Sequence, residues 1–159
     1  VLKDNETQPE KRLSDIDPSA LHYSYQVNAI GPILLVKSLW QVLRKPRPLV
    51  VASLSARVGS IADNQLGGWY GYRASKAALN QLSHTAAIEL ARYNPDSCMV
   101  TLHPGTVDTD LSRPFQKMAT STSIFSADQS AAKLWQVMDQ LYPAQTGGFF
   151  AYDGSSVPF

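Results

Sequence analysis

Cysteine is nearly absent. Cys98 stands alone among 159 residues, so no internal disulfide can hold the chain. It lies in an apolar run and reads as a small buried hydrophobe in a reducing compartment. The three histidines fall at scattered positions without metal-ligand spacing. Charge of one sign is lacking too: 14 basic against 13 acidic residues give a net +1. That balance argues against nucleic acid or anionic membrane as a partner. No apolar run approaches the ~18–20 residues of a membrane span, and no secretory signal opens the chain. A cytoplasmic protein is the expectation. The nine glycines are scattered, and none near the start forms the strand–turn–helix cradle that grips a pyrophosphate.

What is present centres on Tyr72-Arg73-Ala74-Ser75-Lys76-Ala77-Ala78-Leu79-Asn80. A tyrosine and a lysine four apart on a helix point the same way, one turn from each other. A phenol titrates near ~10 and an ammonium near ~10.4, so a lone tyrosine is a poor acid or base at neutral pH. A fixed cation ~4 Å away, at an effective dielectric of ~20, favours the phenolate by roughly 4 kcal/mol. That is about three pKa units before desolvation takes some of it back. The spacing therefore predicts a lowered Tyr72 suited to general acid/base work. Such pairs also occur by chance on many helices, so the surrounding residues must decide.

The segment from Trp69 to Arg92 reads as a helix, with Leu79, Leu82, Ala86 and Leu90 on one buried face. Upstream, residues 1–16 read as polar loop. Asp17-Pro18 starts a helix running to Arg44, with Asp as N-cap and Pro at the first position. Its apolar positions Val27, Ile30, Leu34, Leu35, Leu39, Val42 and Leu43 give a broad stripe expected to be buried. Pro32 cannot donate to the carbonyl of Asn28, so that oxygen can hold something else. The plainer alternative is a kinked core helix that tolerates Asn28 at the bend. Leu49–Leu54 lacks clean alternation and reads as a strand buried on both faces. It delivers Ser53, Ser55 and Ala56 to its C-terminal end, where open α/β sheets place ligands. After the loop 57–68 and the Tyr72 helix, Cys98–Leu102 is a strand ending at Pro104-Gly105. Residues 110–125 read equally as a lid or a surface loop, with Leu111, Phe115 and Met118 as apolar points. Ser126 and Gln129 form a capping box before a helix burying Ala131, Leu134, Trp135, Met138 and Leu141. Residues 148–152 are the last strand. The expectation is one α/β domain, 1–159, with three parallel strands and helices on both faces.

These motifs together resemble the short-chain dehydrogenase/reductase family, and the Gly67-Gly68-Trp69-Tyr70 approach and the Arg57-Val58-Gly59-Ser60-Ile61 loop look most like its carbonyl-reductase and C-factor-like branch. The resemblance rests on Tyr72-x-x-x-Lys76 with Ser75 inside it, a serine at a strand end upstream, Asn28-Ala29-Ile30-Gly31, and Pro104-Gly105-Thr106-Val107-Asp108-Thr109. It implies the C-terminal part of a Rossmann-like doubly wound sheet, with the nucleotide-binding half lying outside this chain. It implies NAD or NADP as cofactor for the intact protein, none bound by these residues alone, and a small carbonyl/alcohol substrate. Tyr72, Lys76, Ser55 and Asn28 would form the catalytic set. Tyr72, Lys76, Pro104, Gly105, Thr106, Val107 and Thr109 would line the cofactor. Helices 18–44 and 72–92 would pair with a second copy in a homodimer or homotetramer. The family's Ser-Ser-x-x-Gly motif puts Ala56 at the second serine when counted back from Gly59. Either Ser55 serves with a one-residue adjustment, Ser53 being a remoter candidate, or the serine role is weakened. His103 reads as a strand-end residue rather than a ligand. A signalling or interaction protein without catalysis, of the C-factor-like kind, is the alternative function.

Overall fold

The computed structural model describes residues 9–113 and 124–159. Its centre is β2 (Ser97–His103), which is buried along almost its whole length, with Cys98, Met99, Val100 and Leu102 as its apolar positions. Strand β1 (Leu49–Leu54) pairs with it in parallel from Leu49 opposite Ser97 to Leu54 opposite Leu102. On the other side β5 (Phe149–Ala151) pairs in parallel, giving the order β1-β2-β5. Side chains of β2 alternate between two layers. Cys98, Val100 and Leu102 pack on Leu134 and Val137 of α4 (Ala127–Asp139). Met99 points the other way, toward Leu43, Ala87 and Leu90. Helices thus cover both faces, as the sequence predicts.

The predicted 18–44 helix is present but interrupted. It comprises α1 (Pro18–Tyr25), a π-turn over Gln26–Ile30, and α2 (Gly31–Leu43). Pro32 is the cause: it withholds one backbone donor, and the ladder widens so that Gly31 N–H reaches back to Gln26 O. Helix α3 (Tyr70–Tyr93) holds the Tyr72 motif. Its buried face differs from the expected leucine stripe. Gly71, Ser75, Leu79, Asn80, Ser83, Ala87 and Leu90 are buried, a largely small-residue face that lets the helix sit close. The Ser126–Gln129 capping box starts α4 as expected. Two short strands were not foreseen, β3 (Thr106–Val107) and β4 (Ile124–Phe125), which pair in parallel as a separate two-stranded sheet.

Two burial expectations are overturned. Strand β1 is not covered on both faces: Val50 and Leu54 lie exposed, because among the described residues β1 has a neighbour on one edge only and no element over that face. The stripe of α1 and α2 is largely outward as well. Leu34 is 52% and Leu35 62% exposed, and Val27, Ile30, Leu39 and Val42 join them, while Leu43 alone of that set is buried.

Candidate functional site

The C-terminal end of β1 and the first turns of α3 meet at one place. Ser55 N–H continues the ladder by donating to Leu102 O at 2.8 Å. Lys76 Nζ donates to Leu54 O at 2.9 Å, tying the helix to the strand end. The same ammonium lies 5.9 Å from the centre of the Tyr72 ring. Gly59 makes this approach possible, since a Cβ there would fall 2.7 Å from Lys76 Cβ. Tyr72 and Lys76 therefore share one face of α3, both half-buried.

The expected lowering of Tyr72 does not occur here. Burial pushes its phenol up to about 12 and pushes Lys76 down to about 8. Desolvation opposes the charged form of each group, and the lysine proton is directed at the Leu54 carbonyl. The resting state is a neutral phenol beside an amine still mostly charged at pH 7.

Asn28 sits in the π-turn, buried, and its side-chain amide donates to Ser75 Oγ at 3.0 Å. Ser75 in turn donates to the carbonyl of Tyr72 at 2.9 Å. Asn28 thus contacts the motif from behind, through Ser75, the serine that the motif carries inside it. Ser55 is 4% exposed, and its hydroxyl donates to Asn80 Oδ1 at 2.6 Å. The side chain is turned into the sheet–helix interface and engaged there. Asn80, one turn beyond Lys76, went unnoticed in the sequence; its position at four residues after the lysine was the available signal.

The 104–109 stretch leaves the sheet beside the strand ends. Gly105 has φ +78, and a Cβ on it would meet Phe125 at 2.8 Å and Tyr152 at 2.9 Å. Only glycine accommodates both the left-handed backbone and that contact. Pro104 O accepts from Ser130 Oγ at 2.8 Å, which fixes the turn. Thr106 and Val107 are half-buried in β3, and Thr109 is exposed. The 110–125 lid-or-loop segment falls largely outside the described residues, Phe115 and Met118 included. His103 is at the strand end as predicted; its Nδ1 is buried without a hydrogen-bond partner, and burial lowers it to about 4.

Two further residues organise the site. Arg73 donates from Nε to Gly68 O at 3.0 Å and to Gly67 O at 3.3 Å, and from Nη1 to Val58 O at 3.3 Å. It gathers both ends of the loop that leads into α3. Glu10, from the segment read as loop, caps that helix from outside.

The chain is similar to several known proteins. The sequence profile of the short chain dehydrogenase family matches residues 5–120. C-signal of Myxococcus xanthus is 34% identical over 148 residues, covering 92% of this chain and 83% of that protein. Carbonyl reductase Sniffer of D. melanogaster superposes with a TM-score of 0.81 at 29% identity, over 94% of this chain and 61% of that one. The NADPH-bound carbonyl reductase from chicken fatty liver gives 0.80 at 25% identity, again over 94% and 61%. The chain thus spans about three fifths of the carbonyl reductases it resembles. A family profile over more than half the chain and a relative matched over most of its length lead to one conclusion: this chain belongs to the short-chain dehydrogenase/reductase family, in its carbonyl-reductase-like branch.

Proposed function

We propose that the whole protein interconverts a carbonyl and an alcohol using NAD or NADP, and that the residues described here carry its proton chemistry. The observation that carries this reading is the Tyr72–Lys76 pair on one face of α3 beside the end of β1. The cofactor, when bound, supplies or accepts the hydride. Lys76 and the 104–109 stretch, with Thr106, Val107 and Thr109 most prominent, would hold its nicotinamide end. Tyr72 carries its proton at neutral pH, which is the form needed to protonate a carbonyl oxygen as it becomes an alcohol. The Lys76 charge then favours the phenolate that remains. Ser75 and Asn28 hold the Tyr72 backbone from behind.

These 159 residues contain no Gly-rich phosphate turn. Activity is therefore expected of the polypeptide that includes a nucleotide-binding half, and a homodimer or homotetramer through α1–α2 and α3 is part of the same reading. A cytoplasmic setting fits the lone buried Cys98.

The test is Tyr72→Phe in that longer polypeptide, assayed with NADH and NADPH against a panel of aldehydes and ketones. Loss of the transferable proton should lower turnover by a factor on the order of 10²–10⁴. Near-normal turnover in Tyr72→Phe would overturn the assignment. A second reading, a signalling protein that needs no catalysis, is favoured by one observation: C-signal is matched over 83% of its length. Calorimetric titration with NADH and NADPH separates the two, since only the first requires the cofactor.

A further inference from the structure

The residues before α1 reach the start of the helix that carries Tyr72. Glu10 O accepts the Trp69 N–H at 2.5 Å. Both carboxylate oxygens of Glu10 lie 3.2–3.3 Å from Gly71 N. Glu10 is only 8% exposed, and among the described residues it has no ion-pair partner. A carboxylate so placed is costly to bury unless something satisfies it. Here the unsatisfied N–H groups and the positive end of α3 do so. The helix offers no substitute, because Trp69 at its N-cap adopts a left-handed φ of 53° and makes no side-chain cap. Gly71 is shaped to this contact: a Cβ there would stand 2.8 Å from Glu10 Oε1 and 3.2 Å from Leu21 Cδ2.

We propose that Glu10 is a positioning residue for Tyr72, setting the first turn of α3 from outside the helix. The proposal rests on the reductase reading above. Tyr72 directly follows the capped amide of Gly71. Lys76, one turn on, is anchored separately by Leu54 O. Loss of the Glu10 cap therefore shifts the tyrosine while leaving the lysine in place. The consequence is selective: proton transfer suffers, and the lysine's hold on the cofactor does not.

The experiment uses the longer polypeptide that includes the nucleotide-binding half. Glu10→Ala should lower kcat on the order of 10–10²-fold, the cost of about 1 Å of misplacement. The KM for cofactor should stay within about twofold, since that binding is not misplaced. Glu10→Gln keeps an acceptor for the Gly71 amide and should restore most of kcat. Gly71→Ala attacks the same contact from the helix side, so Glu10→Ala with Gly71→Ala should be no slower than the worse single variant. Unchanged kcat in Glu10→Ala, or a parallel loss of kcat and cofactor affinity, overturns the proposal. Full additivity of the two substitutions does the same. Amide exchange at Gly71 supplies a readout without turnover. It should quicken in Glu10→Ala and stay slow in Glu10→Gln, and equal rates in all three proteins overturn the cap. An inactive wild type combined with the expected exchange pattern would reject the reductase reading while leaving the cap intact.

Discussion

A serine hydroxyl has one proton to donate, and Ser55 donates it to Asn80 in the buried contact between β1 and α3. It is therefore poorly placed to steady a substrate oxygen beside Tyr72. The motif count puts Ala56 at that place. Two outcomes follow. Ser55→Ala should destabilise by about 1–3 kcal/mol, because Asn80 Oδ1 is left without a donor in the interior; denaturant midpoints will read this. Ala56→Ser should raise turnover several-fold by adding the missing hydroxyl. A Ser55→Ala protein of unchanged stability with much slower chemistry would reverse the assignment. His103 makes a separate prediction. Its pKa falls from 6.5 to about 4 through burial, chiefly. Between those values the unfolded chain binds the proton and the folded chain does not, so stability must fall as pH drops from 6.5 toward 4. The loss should reach up to about 3 kcal/mol. His103→Gln should flatten that acid limb in denaturation curves at stepped pH, and an unchanged limb would show that another group governs it. At this scale the Tyr72–Lys76 spacing was legible in the sequence. Tyr72's raised pKa was not, because spacing reports a neighbouring charge and says nothing of burial.

At the scale of elements, local signals were read well and distant ones missed. Asp17 caps α1 through the Ala20 amide, and Ser126 with Gln129 caps α4, each within three residues of its partner. The cap on α3 comes from a residue 61 positions away, which no window along the chain can contain. Pro32 foretold an interruption at Asn28, and the structure resolves it as a π-turn whose side chain reaches Ser75. The loop 57–59 is a third case. Nothing in its composition says that Gly59 lies against Lys76, yet an added Cβ would come 2.7 Å from Lys76 Cβ and 2.9 Å from its carbonyl carbon. Both neighbours are close to the helix backbone and cannot swing aside. Gly59→Ala should therefore push the loop off α3 and displace Lys76. In the longer polypeptide it should weaken cofactor binding on the order of tenfold, about 1.4 kcal/mol, by calorimetry. Unaltered affinity would mean that Lys76 does not hold the cofactor.

For the molecule as a whole, the informative failure is that apolar residues expected inside lie outside. Periodicity marks which residues want burial, but not whether the covering surface belongs to the same chain. On α1 and α2, Val27, Ile30, Leu34, Leu35, Leu39 and Val42 are exposed together, and Ile88 is exposed on α3. On β1, Val50 and Leu54 lie open beside an edge that is unpaired among the described residues. Clusters of this kind on a folded surface mark contacts, and an unpaired parallel edge invites association. A two-fold pair of the helical faces is the commonest way to close such a patch. The 159-residue chain alone should therefore run above monomer mass in light scattering, as a dimer or as larger aggregates. Leu35→Glu, on the most exposed member of the helical stripe, should shift it toward monomer with helical content unchanged, since most of that residue faces outward. The same isolated chain should give no calorimetric signal with NAD(P), because the described residues include no strand–glycine turn–helix unit of the kind that accepts a pyrophosphate. A monodisperse wild-type monomer would refute the contact surface, and micromolar cofactor binding would show that these residues build a phosphate site of a kind their glycines do not suggest.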